Sequence, residues 1–170
     1  LGLSGGGGGG FSETVAVSPS MCHVLPEAVP LEFAALIEPL AVGWHAVRLS
    51  GIQDFRDRSA LILGGGPIGI AVTHVLRARG ANKVFISEPT STRRKQNEEL
   101  ADVVFDPTQE KVGNRCRELT EGNGVDAVFD CAGVQSGLND GMDALRHRGV
   151  YVNMALWEKP VKAFSYLSMI

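Results

Sequence analysis

The stretch Ala60–Gly69, Ala-Leu-Ile-Leu-Gly-Gly-Gly-Pro-Ile-Gly, decides the fold. Its first four residues are apolar, which is long enough for one buried strand, and three consecutive glycines end that run. Apolar residues then recur at positions 68, 71, 72, 75 and 76, the spacing of one face of a helix. The stretch therefore predicts a strand, a tight turn and a helix.

The predicted turn fits the pattern G-x-G-x-x-G, with Gly64, Gly66 and Gly69 at its fixed positions. In a dinucleotide-binding unit the first glycine permits a sharp exit from the strand and the second lets a pyrophosphate lie against bare backbone. The third lets the helix pack close to the sheet, and the helix N-terminus offers N–H groups and its positive dipole end. A purely structural glycine turn is the alternative, since the chain has 21 glycines.

The next apolar run carries an acidic residue at the distance that dinucleotide binding requires. Val84–Ile86 predicts a second strand, and Glu88 follows nineteen positions after Gly69. A carboxylate there accepts both ribose hydroxyls of an adenosine and repels a 2′-phosphate. The pattern predicts NAD as the cofactor, in preference to NADP.

From Ala60 onward, predicted strands alternate with predicted helices. The strands are Ala60–Leu63, Lys83–Ser87, Val103–Phe105, Ala127–Asp130 and Val150–Met154, and the helices are Ile68–Arg79, Thr92–Leu100, Val112–Leu119 and Ser136–Leu145. Repeated βα units force parallel pairing with right-handed crossovers. The predicted fold is an α/β, doubly wound parallel Rossmann sheet that lacks the last of six strands. Its unpaired edge favours association.

Shorter regions precede the predicted sheet. Gly5–Gly10 predicts a flexible loop, and Phe11–Val17, rich in β-formers, predicts a strand. Leu31–Leu49 predicts two helical pieces joined by a kink near Glu38 and Pro39. Glu38 has apolar neighbours in the sequence, so its carboxylate either meets a metal, an arginine or a helix N-terminus, or points to solvent.

Further candidate ligand contacts follow the predicted strands, because ligands of open α/β sheets bind at the carboxyl ends of the strands. Cys131, Ala132 and Gly133 are small enough for a ribose or a nicotinamide to approach the backbone. We predict that Cys131 is an inert buried thiol, since no His or Lys neighbours it. Arg93 and Arg94, just past the acidic residue, either flank the adenine, accept a phosphate or lie in solvent.

Composition narrows the class of protein. The chain has 170 residues, 44% hydrophobic and 21% charged, which suits one domain or a domain plus a piece of another. A net charge of −3 without a basic stripe argues against nucleic acid as a partner. No run approaches the roughly 18 apolar residues of a membrane span. Three widely spaced cysteines suit reduced thiols in a cytoplasmic protein. The chain starts without methionine, so we expect a piece of a longer protein.

Four motifs in order resemble the zinc-dependent medium-chain dehydrogenase/reductase family. They are Ala35–Ala46, Gly64–Gly69, Ser87–Pro89 and Val152–Pro160. Within the family the sequence is most similar to 2,3-butanediol dehydrogenases, with sorbitol dehydrogenases next. The resemblance covers about Gly6 to Val161 and does not extend over Lys162–Ile170.

The resemblance implies two domains in the full-length protein, a GroES-like barrel with the catalytic zinc and a Rossmann domain with NAD. It implies that residues 1–29 are the tail of the barrel, residues 30–58 linking helices, and residues 59–170 the incomplete NAD-binding domain. Glu38 then takes a zinc-site position, with the other ligands upstream of Leu1. The implied cofactor contacts are Gly66, Pro67, Ile68, Glu88 and Arg93.

The implied activity is oxidation of a secondary alcohol, 2,3-butanediol or a related diol or polyol, by zinc-assisted hydride transfer to NAD in a homodimer or homotetramer. We expect this chain alone to be inactive, because catalytic zinc needs three protein ligands. One alternative is a non-catalytic NAD-binding fragment of a truncated gene product. Another is an NADP-linked, zinc-free reductase of the same superfamily, which Glu88 disfavours.

Overall fold

The computed structural model describes residues 12–157 and 159–161. The chain divides into two compact units, Leu1–Ala35 and Leu36–Ile170. Within the described residues, no helix is long and apolar enough to cross a membrane.

The described part of the first unit contains little regular structure. A 3₁₀ turn occupies Pro19–Met21 and a 3₁₀ helix starts at Leu31. The predicted strand Phe11–Val17 is wrong over residues 12–17, which are exposed and pair with no strand among the described residues. β-Forming side chains do not make a strand unless a neighbouring chain segment accepts its hydrogen bonds. Phe11 itself and the predicted loop Gly5–Gly10 lie outside the described residues.

The second unit is an α/β sheet of five described strands. Its strands are β1 (Ser59–Leu63), β2 (Lys83–Ser87), β3 (Val103–Phe105), β4 (Val125–Asp130) and β5 (Leu145–Asn153). Its helices are α1 (Ile37–Leu49), α2 (Pro67–Ala78), α3 (Ser91–Asn97), α4 (Val112–Leu119) and α5 (Gln135–Ala144). The strands pair in parallel in the order β3-β2-β1-β4-β5. The predicted fold class is confirmed.

The core lies on both faces of this sheet because successive side chains of a strand point to opposite faces. On one face, Ile62 of β1 and Phe129 of β4 pack with Leu76 of α2 and with Val47 of α1. On the other face, Leu61 of β1 packs with residues of α4 and α5. Every residue of β1 and β4 is buried, which is typical of parallel strands covered on both sides.

Two boundaries differ from prediction for identifiable reasons. β5 begins at Leu145, five positions before the predicted Val150. Its pairing with β4 shifts register between Leu145 and Val150, so the residues between these two positions form an irregular part of the strand. The helical change before α1 falls between Leu36 and Ile37, slightly ahead of the predicted kink. Pro39 lies in the first turn of α1, where its missing N–H costs no hydrogen bond.

A buried carboxylate joins three strands at the amino ends of the sheet. Asp126 of β4 is 8% exposed. One of its oxygens accepts the amide hydrogen of Ser59 on β1 at 2.9 Å, and the other accepts hydrogen bonds from Arg58 at 2.9 Å and Arg146 of β5 at 2.7 Å. Asp126 therefore stabilises the order β1-β4-β5.

Replacing Asp126 with asparagine is expected to lower the free energy of unfolding by about 2 kcal/mol, because an amide cannot accept all of these hydrogen bonds. Urea denaturation at pH 7 measures the change. Asp54→Asn is the matched control. Its carboxylate pairs with Arg56 in solvent, and we expect no shift of the unfolding midpoint. Equal midpoints for both variants would contradict the role given to Asp126.

The stabilisation by Asp126 is also expected to depend on pH. Burial raises its pKa, but the hydrogen bonds from Ser59 and Arg58 and the charge of Arg146 outweigh burial, so the pKa is lowered. The stabilising contribution is therefore fully present above about pH 4, which is the pKa of an unperturbed carboxyl group. It is lost as the pH falls through the folded-state pKa. The stability difference between wild type and Asp126→Asn should shrink from pH 7 to pH 3. A constant difference would contradict this assignment.

Candidate dinucleotide-binding site

The turn after β1 has the geometry that its glycines predict. Gly64 has φ +95°, a conformation that L side chains rarely adopt. A Cβ at Gly69 would overlap the carbonyl oxygen of Gly64 and come within 3.3 Å of the Ile62 side chain, so the start of α2 packs directly on the turn and on β1. Within 4 Å, a Cβ at Gly66 would meet Arg93 alone of the residues that the structure describes, at 3.8 Å. The backbone at Gly66 is therefore open.

The first turn of α2 faces this open backbone without a capping side chain. Gly66 is the N-cap and Pro67 the first helical residue, and no side-chain cap of this helix is present in the described part of the chain. The first N–H groups of a helix have no partner within the helix, and its N-terminus carries a partial positive charge. Ile68 and Gly69 follow in this turn. The arrangement suits an anionic ligand.

Glu88 lies directly beside the glycine turn, although its side chain is almost fully buried, with 2% of the residue exposed. Its Oε2 accepts the amide hydrogen of Gly65 at 2.9 Å, and its Oε1 accepts that of Thr90 at 2.8 Å. A carboxylate has about four acceptor directions, so each oxygen keeps one for a further donor. The predicted proximity of Glu88 to the turn is confirmed.

The two arginines after Glu88 separate into different roles. Arg93 is exposed, and its Nη1 lies 3.9 Å from Oε2 of Glu88. Arg94 instead donates to the main-chain oxygens of Glu88 and Pro89 and pairs with Asp106 at 2.7 Å. Arg93 therefore remains available to a ligand, whereas Arg94 connects β2 with the segment after β3.

A cleft of about 520 Å³ runs along the carboxyl ends of the strands. Nine of the ten residues predicted to contact the cofactor line it: Gly64, Gly66, Pro67, Ile68, Gly69, Glu88, Arg93, Cys131 and Ala132. Gly133 is the exception. Its φ is +64°, and a Cβ there would lie 2.9 Å from that of Ala155, so packing explains this glycine. The topology thus brings the three predicted stretches to one place.

The turn after β4 is held by a residue that the sequence did not single out. Oδ1 of Asp130 accepts the amide hydrogens of Ala132 and Gly133, both at 2.9 Å, and Oδ2 accepts the hydroxyl of Tyr151 at 2.9 Å. Burial, with the charge and hydrogen bond of Asp130, raises the pKa of Tyr151, so that hydroxyl stays protonated. An acidic residue that ends a buried strand and precedes small residues was the available signal.

Cys131 is the half-buried thiol of this turn. Burial, together with the charge of Asp130, raises its pKa to about 12. A thiol with that pKa is protonated at pH 7 and is a poor nucleophile. The structure agrees with the predicted inert thiol.

The described residues do not fit a zinc site. Glu38 is exposed in the first turn of α1 and does not line the cleft. Among the described residues, no group of three or more His, Cys, Asp or Glu side chains could hold a metal ion. Since catalytic zinc takes three protein ligands, no chemical step through zinc can be derived from these residues.

A larger hollow of about 860 Å³ lies at the opposite, amino ends of the strands. It is lined by arginines, but Arg58 and Arg146 pair with Asp126, and Arg117 donates to the main-chain oxygens of Asp143 and Leu145. These contacts hold the elements together. The hollow also lies away from the strand ends where ligands of such sheets bind.

Comparison with known proteins agrees with this geometry. The family described as zinc-binding dehydrogenase matches residues 67–170. The chain belongs to the zinc-binding dehydrogenase family. An (R,R)-butanediol dehydrogenase of Saccharomyces cerevisiae is 40% identical to this chain over an alignment of 159 positions, which covers 90% of the chain and 41% of that relative. The chain therefore spans about two fifths of the relative's length.

Two solved structures share the fold of this chain. The 2R,3R-butanediol dehydrogenase of Bacillus subtilis aligns with a TM-score of 0.77 and 32% identity, over 85% of this chain and 41% of that one. A structure reported as a zinc-binding dehydrogenase from Sinorhizobium meliloti 1021, bound to NADP, aligns with a TM-score of 0.69 and 28% identity, over 82% and 43% of the two chains.

Proposed function

We propose that this chain is the NAD-binding part of an oxidoreductase that oxidises a secondary alcohol, 2,3-butanediol or a related diol or polyol. The observation that carries the proposal is the contact between Glu88 and Gly65, which puts a buried carboxylate beside a bare glycine turn in one cleft. The names of the relatives support the substrate class.

The residues of the cleft fit NAD. Gly66 has no side chain to hinder a pyrophosphate, and the uncapped N-terminus of α2 favours its negative charge. The free acceptor directions of Glu88 suit the hydroxyls of the adenosine ribose, and its charge opposes a 2′-phosphate. When bound, NAD supplies the acceptor for a hydride from the alcohol carbon. The residues of this chain bind and orient that acceptor.

The proposal extends to the longer protein. Residues 1–29 are assigned to a GroES-like domain, residues 30–58 to linking helices and residues 59–170 to the NAD-binding domain. Glu38 belongs to a zinc site whose other ligands lie outside the described residues, and the assembly is a homodimer or homotetramer. A cytoplasmic location suits the free thiols of Cys22, Cys116 and Cys131.

Calorimetric titration of the purified chain tests the proposal. We expect saturable NAD binding that is tighter than NADP binding and unchanged by added zinc, because the cleft holds the dinucleotide and no group of three or more His, Cys, Asp or Glu among the described residues could hold a metal ion. Absence of NAD binding would overturn the proposal. Tighter NADP binding would favour an NADP-linked reductase, which the NADP-bound relative keeps as the second candidate.

A non-catalytic NAD-binding module predicts the same titration, so a second observation separates it. A parent reading frame that continues upstream with a cysteine and a His-Glu pair supports the dehydrogenase. A stop codon directly upstream supports the module. NAD reduction with 2,3-butanediol by the purified chain would reject the module and also the expectation that this chain alone is inactive.

A further inference from the structure

A fully buried asparagine closes over the glycine turn from α3. Asn97, the last residue of α3, has no solvent exposure. Its Nδ2 donates to the carbonyl oxygen of Gly65 at 3.0 Å and to that of Arg93 at 2.7 Å. Its Oδ1 is buried and has no hydrogen-bond partner among the described residues. An unpaired buried oxygen costs free energy, which an alanine at this position would avoid.

Asn97 binds the glycine turn, a flexible stretch of backbone. Gly64, Gly65 and Gly66 are consecutive, and glycine peptides rotate more freely than those of other residues. Glu88 accepts the amide hydrogen of Gly65, while Asn97 donates to its carbonyl oxygen. A Cβ at Gly65 would lie 2.7 Å from Nδ2 of Asn97, so the contact is close. Both peptide units that flank Gly65 are therefore fixed by side chains, one from Glu88 just after β2 and one from Asn97 at the end of α3.

The direction in which Asn97 holds the Gly65 carbonyl determines which backbone group faces the cleft. In a trans peptide the C=O and N–H bonds point in opposite directions. Because the Gly65 carbonyl points at Asn97, the N–H of Gly66 in the same peptide unit points away from Asn97. Gly66 lines the cleft and is open to it. A rotated Gly65–Gly66 peptide would present a carbonyl oxygen there, which repels an anion.

We propose that Asn97 is a positioning residue for the diphosphate of the dinucleotide. It holds the Gly65–Gly66 peptide with the N–H of Gly66 directed to the cleft. The backbone is therefore already ordered when the ligand binds, and binding loses less conformational entropy. The inference rests on the proposed function. It concerns the diphosphate, so ligands with and without one should respond differently to loss of the amide.

Binding of three ligands to variants at Asn97 tests this role. Asn97→Ala is expected to weaken binding of NAD and of ADP-ribose about tenfold, the loss typical of one hydrogen bond to an anionic group, and to leave adenosine binding within twofold. Asn97→Val has a side chain closer in volume to asparagine, and we expect the same changes in affinity as for Asn97→Ala. It replaces the alanine variant if that variant does not fold. Calorimetry measures NAD and ADP-ribose, and NMR titration measures adenosine.

Ser50→Ala is the matched control, because Ser50 is a buried side chain with two main-chain hydrogen bonds, to Val47 and Ile52, away from the cleft. It should leave all three affinities within twofold. Wild-type affinities for NAD and ADP-ribose in both Asn97 variants, or an equal loss for adenosine, would overturn the positioning role alone. A wild-type chain that binds neither NAD nor ADP-ribose would overturn the proposed function as well.

Discussion

Replacing Glu88 with glutamine is expected to weaken NAD binding by about 10- to 100-fold. Hydrogen bonds to a charged acceptor are worth about 1.5–3 kcal/mol, which corresponds to this range of affinity. The buried carboxylate already accepts the amide hydrogens of Gly65 and Thr90. A glutamine could not accept both and also serve the ribose. Calorimetric titration of both chains with NAD measures the change.

The same substitution is expected to raise the affinity for NADP relative to NAD, since it removes the charge that faces a 2′-phosphate. Arg93, 3.9 Å from that carboxylate, would then pair with the phosphate without competition. Glu98→Gln makes the same chemical change at an exposed position next to α3 and should leave both affinities unchanged. Wild-type NAD affinity in Glu88→Gln would show that Glu88 does not contact the cofactor.

Gly69→Ala is expected to lower the free energy of unfolding by about 3 kcal/mol, the upper range for inserting a methyl group into a packed core. The new Cβ would overlap the carbonyl oxygen of Gly64, and the hydrogen bond from the Gly65 N–H to Glu88 holds that peptide unit in place. Relief requires α2 to move off β1, with loss of packing around Ile62. Urea denaturation followed by circular dichroism measures the change.

Gly137→Ala is a close control, because Gly137 is the third residue of α5 as Gly69 is the third of α2. A Cβ at Gly137 would meet only side-chain atoms, at 3.3 Å or more. Alanine favours helix over glycine by about 1 kcal/mol, so we expect this variant to be as stable as wild type or slightly more stable. Similar destabilisation of both variants would show that the close contact at Gly69 is not the cause.

The order of strands and helices could be predicted because the signal is local. Strands buried on both faces appear as short apolar runs, and the amphipathic helices between them have a different period. Lys83–Ser87, Val103–Phe105 and Val112–Leu119 have the predicted bounds. The strand predicted at Phe11–Val17 failed over its described residues, because pairing depends on a partner that no local pattern reveals.

The candidate site likewise combines local features, which could be predicted from the sequence, with contacts between distant residues, which could not. The glycine pattern and the position of Glu88 could be read from spacing, since the motif itself joins a turn to a helix and the next strand. The contacts of Asn97 and Asp130 could not. Asn97 bonds Gly65 across 32 positions and Asp130 bonds Tyr151 across 21, and such pairs exist only once the sheet and its helices have packed. Contact of the cleft residues with NAD stays a prediction.

The close approach of Gly65 and Asn97 restricts the routes by which this protein can evolve. A side chain at position 65 would collide with the amide of Asn97 and also press on the side chain of Glu88, so a lineage gains one more readily after residue 97 has become smaller. In the opposite order, the intermediate sequence would carry both bulky groups and fold poorly. Mutations at the two positions should therefore be epistatic, with their combined effect differing from the sum of the single ones.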